Sequence, residues 1–408
     1  MGNQFRKEAI SEENPKWEKC IRRPDGLYHR KDDIRSPFAR DYNRIIHCNA
    51  YRRLKHKTQV FYATKNDHIC TRIEHVNHVS SVSYTISKYL GLNTELAVAI
   101  ATGHDVGHAP FGHFGESELK KIAKNELGDT FWHERNSLRF IDKIETLPAP
   151  TGEEYNLNLT YAVRDGIISH CGEVDERAIY PRSADIDLDN IKHPSQYSPY
   201  TWEGCVVKIA DKIAYLGRDI EDALRLKILD SGQLKELLKI VKHHTNQKIS
   251  DINNTVIMHN FIIDICNTSS PETGIQLSRK HFKLMQELRE FSNNYIYRHE
   301  RLSIYQNYAA LIIESIYQTL KKVFDKYETI KEIKKQYGDI FPTLSGYFIK
   351  WLYKYSQNND GFSRDNRYKN IAIYDLSCEK DYIQAIIDFI SSMTDSFAIE
   401  VFNELTSF

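Results

Sequence analysis

Residues 103–116 read Gly103-His104-Asp105-Val106-Gly107-His108-Ala109-Pro110-Phe111-Gly112-His113-Phe114-Gly115-Glu116. These fourteen residues hold three histidines, an aspartate and a glutamate, with four glycines and one proline shaping the backbone. A neutral imidazole beside a hard carboxylate, as in His104-Asp105, suits a hydrated divalent transition metal, whereas a structural zinc site favours thiolates. His104 and His108 stand four apart, so on a helix they share a face. Pro110 is expected to end such a helix and to leave His113 and Glu116 on the turn that follows. A surface loop or a hydrogen-bonded core histidine accounts for any one of these residues, but not for the group.

The chain on either side of this segment reads as helix. Asn93-Thr94-Glu95 forms a helix start that feeds a buried apolar run from Leu96 to His104. Upstream, Val76, Val79, Val82, Ile86 and Leu90 recur at steps of three and four and define a helix from Thr71 to Leu90 that carries His75. Downstream, Val206-Val207-Lys208-Ile209-Ala210-Asp211-Lys212-Ile213-Ala214-Tyr215 embeds an acid in an apolar helical run, where an unpartnered carboxylate is unfavourable. A metal would satisfy Asp211, and so would an arginine on a neighbouring helix. Taken alone, His75 reads as a hydrogen-bonded core histidine. Yet ten of the seventeen histidines fall between His29 and His133, a concentration that points to one site. An ion held by His104 and Asp105 alone would be loose, so further ligands are expected from other helices.

At 408 residues the chain accommodates one large or two ordinary domains. Strand alternation is scarce, and the stripe Leu311, Ile312, Ile316, Leu320, Val323 adds another helix, so the reading is all-α. Residues 145–200 are richer in Pro, Gly, Asn and Asp and read as loops between helices, and Gln357–Asn370 reads as a loop or a boundary. The first 25 or so residues read as partly disordered. Fifty-five basic residues balance 55 acidic ones, so no global field favours nucleic acid or anionic lipid. Seven cysteines lie scattered without a CxxC pair, which reads as reduced thiols of a cytoplasmic protein. Met1 to Lys7 lack an apolar leader core, and no stretch approaches the roughly 20 apolar residues of a membrane span. Locally, Arg35 to Lys57 gathers seven Lys or Arg against one acid, Asp41. With Tyr42 and Tyr51 interleaved, that patch admits single-stranded nucleic acid as a side partner. Arg22-Arg23 and Lys321-Lys322 read as solvated charge.

The ordered set His75, His104-Asp105, Asp211 resembles the HD-domain metal phosphohydrolases, and its surroundings resemble one branch, the dGTPase-like deoxynucleoside triphosphate triphosphohydrolases. The motifs behind this are Asp41-x-x-Arg44-Ile45, the run from Ala50 to Phe61, Arg72-x-x-His75, the segment His104–Glu116 and Phe131-x-His133-Glu134. Asn158-Leu159-Thr160, Glu203-Gly204-x-Val206-Val207, Ile209 to Tyr215 with Asp219 and Asp222-Ala223-Leu224, and Met393-Thr394-Asp395 complete them. Together they span roughly residues 35 to 400. Two departures stand out: Asn77-His78 replaces the family's usual leucine and glutamate, and Cys48-Asn49 replaces small hydroxyl residues. Neither includes an expected ligand.

The resemblance implies an all-α HD-domain helical core with additional C-terminal helices. It divides the chain into an N-terminal extension (1–34), a catalytic core (35–230) and a helical C-terminal region (231–408) completing the substrate pocket and the oligomer contacts. It implies one divalent ion per subunit on His75, His104, Asp105 and Asp211, with Mn, Mg, Fe, Ni and Co all compatible with such donors. It implies hydrolysis of dNTPs, dGTP among them, to deoxynucleoside and inorganic triphosphate. His113 is then the proton-transferring residue, Glu116 the carboxylate that orients it, and His108 and His133 phosphate-side neighbours. Arg53, Arg72 and Lys212 meet the phosphate charge. Gln59, Tyr215 and Asp219 select the sugar, Tyr215 against C2′ and the other two at the 3′-hydroxyl. Assembly into a homo-oligomer such as a hexamer, and a second dNTP acting as activator at an allosteric site, are further implications. Two other readings stay open: an HD phosphohydrolase for a monophosphate, cyclic nucleotide or alarmone, and a nucleotide-sensing regulator with a silent HD site.

Overall fold

The computed structural model describes residues 3–26, 33–62, 66–171, 176–244, 254–358 and 363–407. His29 and part of the Gln357–Asn370 loop lie outside them. Among the described residues the chain is helical, as expected, with two small two-stranded sheets. The first nine helices are α1 (Trp17–Ile21), α2 (Pro37–His47), α3 (Asn49–Arg53), α4 (Arg72–Leu90), α5 (Thr94–Gly103), α6 (Gly112–Leu127), α7 (His133–Arg139), α8 (Tyr161–Ser169) and α9 (Trp202–Arg225). The remainder are α10 (Ser231–His244), α11 (Asn254–Thr268), α12 (Arg279–Phe291), α13 (Glu300–Lys321), α14 (Thr329–Tyr337), α15 (Pro342–Tyr355), α16 (Glu379–Ser392) and α17 (Asp395–Thr406). Two compact units emerge, each assembled from separate stretches of chain.

The first unit comprises Met1–Ile45, Val60–Asp105 and Leu159–Ile304. Its centre is the mutual packing of α4, α5, α8 and α9. The caps explain the helix bounds. Thr71 and Glu74 form a reciprocal capping box at the start of α4, and Gly91 closes it with φ +84°. Asn93 Oδ1 accepts from Leu96 N at 3.1 Å to start α5. Inside, Val76, Val79 and Ile86 of α4 are buried with Leu96, Ala97 and Ile100 of α5. Gly166 lets α8 approach α5: a Cβ there would lie 2.5 Å from Ile100 Cδ1.

Residues 3–26 are ordered, contrary to expectation. Phe5 is fully buried edge-on against Trp202 at 4.9 Å, and Asn3 N and Phe5 N donate to the last carbonyls of α4. Arg23 is likewise not solvated. It donates to the buried Asp41 carboxylate at 2.6 Å, and Asp41 also accepts from Thr160 N and Oγ1. This contact accounts for Asp41 and Thr160 of the two motifs: they tie α2 to the start of α8.

The second unit comprises Ile46–Gln59, Val106–Asn158 and Tyr305–Phe408. Here α6 packs on α16, and α15 on α14, α16 and α17. Lys57, buried, donates to the carbonyls of His108 and Ser391. Asp395 accepts from Thr58 N and Phe111 N at 2.9 and 2.8 Å, which gives the Met393-Thr394-Asp395 motif a structural role. Thr146–Pro148 and Glu154–Asn156 pair as an antiparallel hairpin inside the stretch expected to be loop. On α13, Ile312, Ile316 and Leu320 are buried as expected but Leu311 is exposed. Lys321 reaches Glu126 at 2.6 Å rather than standing free in solvent.

The helix carrying His104 stops at Gly103, well before Pro110. His104 is therefore its C-cap residue, and His108 does not share a helical face with it. Gly107 instead approaches the backbone of α7, where a Cβ would lie 2.1 Å from Ser137 N. Phe111 then turns the chain in the left-handed region, φ +64°, and α6 begins at Gly112. His113 and Glu116 thus sit within the first turns of a helix, not on a loop, and Glu116 is not a cap at Ser117.

Candidate metal centre and histidine cluster

Within the first unit, α4 supplies His75, the end of α5 supplies His104 and Asp105, and α9 supplies Asp211. His75 Nε2 and Asp211 Oδ1 are 2.9 Å apart. His104 Nε2 lies 3.7 Å from the same carboxylate oxygen and 3.5 Å from Asp105 Oδ1. His75 Nε2 is 3.9 Å from Asp105 Oδ2. His104 Nδ1 donates to Ala101 O at 2.7 Å, which fixes the tautomer and leaves Nε2 as a lone-pair donor. That Nε2 is buried with no hydrogen-bond partner among the described residues. Burial opposes charge on His75, but Asp211 outweighs it and holds the ring above its ordinary range. Burial also pushes Asp211 up, and the surrounding imidazoles, His75 first, overcome this and hold the carboxyl well below the usual range.

Arg72, fully buried one turn before His75, donates to Asp105 Oδ2 at 2.8 Å. The other oxygen of that carboxylate, Oδ1, lies 3.5 Å from His104 Nε2. On α9, Lys212 is nearly buried beside Asp211, and Tyr215 and Asp219 follow on the same face. Asp219 Oδ2 accepts from Tyr297 Oη at 2.6 Å.

In the second unit, Glu116 gathers two imidazoles. It lies 3.3 Å from His113 Nδ1 and 3.2 Å from His133 Nδ1, and its Oε1 accepts from His133 N at 2.9 Å. Burial pushes the Glu116 carboxyl up, but His133 and then His113 hold it well below the ordinary range. The His108 and His133 rings lie 3.9 Å apart, tilted by 33°. His113 is 67% exposed at its side chain, and Glu116 15%. Gln59 is buried with Oε1 lacking a hydrogen-bond partner among the described residues, and Arg53 donates to Glu145 at 2.8 Å.

The HD domain family matches residues 72–216, from Arg72 to the residue after Tyr215. A deoxyguanosinetriphosphate triphosphohydrolase-like protein of Caldanaerobacter subterraneus is 32% identical over 333 residues, covering 80% of this chain and 86% of its own. A protein of the same description from Clostridium tetani is 34% identical over 321 residues, covering 78% and 83%. One from Pelagibacter ubique is 30% identical over 402 residues, covering 90% and 92%. The chain belongs to this HD-domain, dGTP triphosphohydrolase-like family. The family is one of metal-dependent phosphohydrolases.

The donor set of this phosphohydrolase fits a divalent ion. His75, His104 and Asp211 each bring one ligand atom within 4.8 Å of the others, and the partnerless Nε2 of His104 is a buried polar atom that an ion would satisfy. The fit is to oxygen and nitrogen donors, since no cysteine belongs to the group. Two residues were missed by reading the sequence. Tyr297 meets Asp219 from a distant stretch of chain, and nothing in its local pattern marks it. His170, at the end of α8, lies with its ring centroid 4.9 Å from that of His104. Its signal was readable: like His104, it follows directly on a buried apolar helix. No helix among the described residues is long and apolar enough to cross a membrane.

Proposed function

We propose that this phosphohydrolase cleaves deoxynucleoside triphosphates, dGTP among them, to the deoxynucleoside and inorganic triphosphate. The observation that supports this most is the conjunction, on the one segment His104–Glu116, of the His104-Asp105 pair and the His113-Glu116 pair, with His133 of α7 on the same Glu116 carboxylate. When bound on His75, His104, Asp105 and Asp211, a divalent ion (Mn, Mg, Fe, Ni or Co) supplies Lewis acidity toward the phosphoryl oxygen and lowers the pKa of water.

The chain's own residues do the rest. The departing 5′-oxygen is a poor leaving group near neutral pH, and His113 carries a proton to it. Glu116, ionised and bonded to Nδ1, keeps that imidazole in the tautomer with Nε2 facing the substrate and stabilises its protonated form. Because His133 leans on the same carboxylate, it shares the charge and contacts phosphate with His108. Arg72, Lys212 and Arg53 offset the triphosphate's negative charge; Arg72 acts as well through Asp105. Tyr215 fills the space a 2′-hydroxyl would need, while Asp219 and Gln59 bond the 3′-hydroxyl. Assembly into a homo-oligomer, a hexamer being one form, with a second dNTP as activator, belongs to the same reading, as do a cytoplasmic setting and single-stranded nucleic acid as a side partner of the Arg35–Lys57 patch.

Incubation with Mn²⁺ and each dNTP, singly and mixed, followed by ion-exchange separation of the products, tests the reading. Deoxynucleoside with intact triphosphate is the expected outcome, and the mixture reveals base preference and activation. Monophosphate plus pyrophosphate, or no turnover, transfers the protein to the other HD phosphohydrolases or to a regulatory role.

A further inference from the structure

Asp395 opens α17, the position at which an acid ordinarily faces the free N–H groups of its own helix. That task falls instead to Thr394, whose Oγ1 accepts from Phe397 N at 3.2 Å. The Asp395 carboxylate, only 3% exposed, turns to two other segments: Oδ2 accepts from Thr58 N at 2.9 Å and Oδ1 from Phe111 N at 2.8 Å. These donors lie 337 and 284 residues away in the sequence, and bonds of this kind are what make a buried carboxylate tolerable. Each donor borders a residue of the proposed site. Thr58 immediately precedes Gln59, and Phe111 stands two residues before His113. Phe111 is also the residue that turns the chain into α6 at φ +64°, a conformation that a bulky side chain keeps only where its surroundings hold it. Lys57 ties the same segments a second time, its Nζ donating to His108 O and, at 2.8 Å, to Ser391 O.

We infer that Asp395 is a positioning residue that sets Gln59 and the helix carrying His113 against each other, and so fixes the 3′-hydroxyl contact relative to the proton carried to the 5′-oxygen. This inference rests on the roles of Gln59 and His113 proposed above. One carboxylate then gauges the two ends of a single deoxyribose, through the backbone on either side of it. Displacing either segment by about 1 Å separates recognition of the 3′-hydroxyl from proton transfer, and such a misplacement slows a reaction by up to about 10²-fold. The turn before α17 thereby takes part in substrate selection by acting through Gln59 and His113.

The readout is the ratio of kcat/KM for the dNTP turned over fastest to that for its 2′,3′-dideoxy counterpart, both with Mn²⁺, because this ratio does not depend on how much of the protein is folded. The proteins compared are wild type, Asp395→Asn, Asp395→Glu and Glu404→Gln. Asparagine keeps the shape but presents an N–H₂ where both segments offer donors. Glutamate keeps the charge and both acceptors but reaches a methylene further, so it displaces the segments without unpairing them and carries the test if the asparagine variant does not fold. Glu404 is the control: on the same helix, it accepts from Thr343 N and Leu344 N at 2.8 and 2.9 Å, bonds of the same kind that lead to no residue of the proposed site. We expect both Asp395 variants to lower kcat/KM for the dNTP by about 10–100-fold, through a higher KM as well as a lower kcat. The ratio should fall by about 2–10-fold, the effect of one misplaced hydrogen bond. Glu404→Gln should keep the wild-type ratio. An unchanged ratio in both Asp395 variants, or an equal fall in Glu404→Gln, reduces Asp395 to a structural support and overturns the inference. A wild type with no preference for the 3′-hydroxyl, or with no triphosphate among its products, refutes the underlying reading instead.

Discussion

Asp211 shows how one side chain binds the first unit's chemistry to its packing. It stands on α9 amid apolar neighbours, accepts from His75 of α4 at 2.9 Å and lies 3.7 Å from His104 at the end of α5. Its environment is three imidazoles rather than the arginine that the sequence equally allowed. Asp211→Ala is expected to reduce Mn²⁺ binding by at least 10–100-fold and to abolish turnover, as read by electron paramagnetic resonance of free Mn²⁺ alongside the product assay. His113→Gln separates the two roles: Mn²⁺ affinity should match wild type while kcat falls by about 10²–10⁴. Normal turnover in that variant would sink the assignment of proton transfer to His113. At this scale the ligand types were legible, because a carboxylate in an apolar helical run and a His-Asp doublet are unfavourable without a partner. Tyr297 and the double engagement of Glu116 were not, since both depend on which distant segment arrives at a given side chain.

Elements hold these groups in place through a few close approaches. Gly115, inside α6, faces Pro110, whose carbonyl oxygen would lie 1.9 Å from an added Cβ. Gly115→Ala must therefore push the Pro110-Phe111 turn off the helix that carries His113. The expected loss is about 1–3 kcal/mol of stability in urea titration, with turnover falling further than stability accounts for. At the start of α9, Glu203 is wholly buried and its Oε1 accepts from Ile10 N and Asn93 N, both at 3.0 Å, so one carboxyl joins the N-terminal segment to the cap of α5. Burial pushes it up to about 7, the two backbone donors only partly offsetting the shift.

The folded state therefore binds a proton that the unfolded chain releases at lower pH. Stability from this group is present below about 4.5 and lost as pH rises toward 7, roughly 3 kcal/mol at 1.4 kcal/mol per pH unit. Glu203→Gln keeps the acceptor and removes the titration. The difference in stability between wild type and variant should thus shift in the variant's favour from pH 5 to pH 7.5. A difference that stays constant across that range would disprove the buried proton. The caps of α4 and α5 were readable from Thr71, Glu74 and Asn93. The end of α5 was not, because Gly103 and the close approach of Gly107 to α7, not Pro110, stop the helix.

For the whole molecule, an ion held by the proposed ligands of α4, α5 and α9 would tie together helices far apart in sequence. An ion that binds only the folded centre stabilises by about 2.7 kcal/mol at a hundredfold excess over its Kd. Saturating Mn²⁺ should raise the thermal midpoint of the wild type and a chelator should lower it, with Asp211→Ala insensitive to both in the same scanning calorimetry. The family and the helical class were determined by the sequence alone, which also singled out the four residues proposed as ligands. The periodicity of apolar residues and the chemistry of His, Asp and Glu are local properties, and they survive being read in one dimension. The tertiary structure alone decided how the units are drawn from interleaved stretches of chain, that residues 3–26 are anchored, and that His170 stands beside His104. Those outcomes depend on which buried surfaces meet, and the free energy of that meeting belongs to pairs of segments rather than to either one.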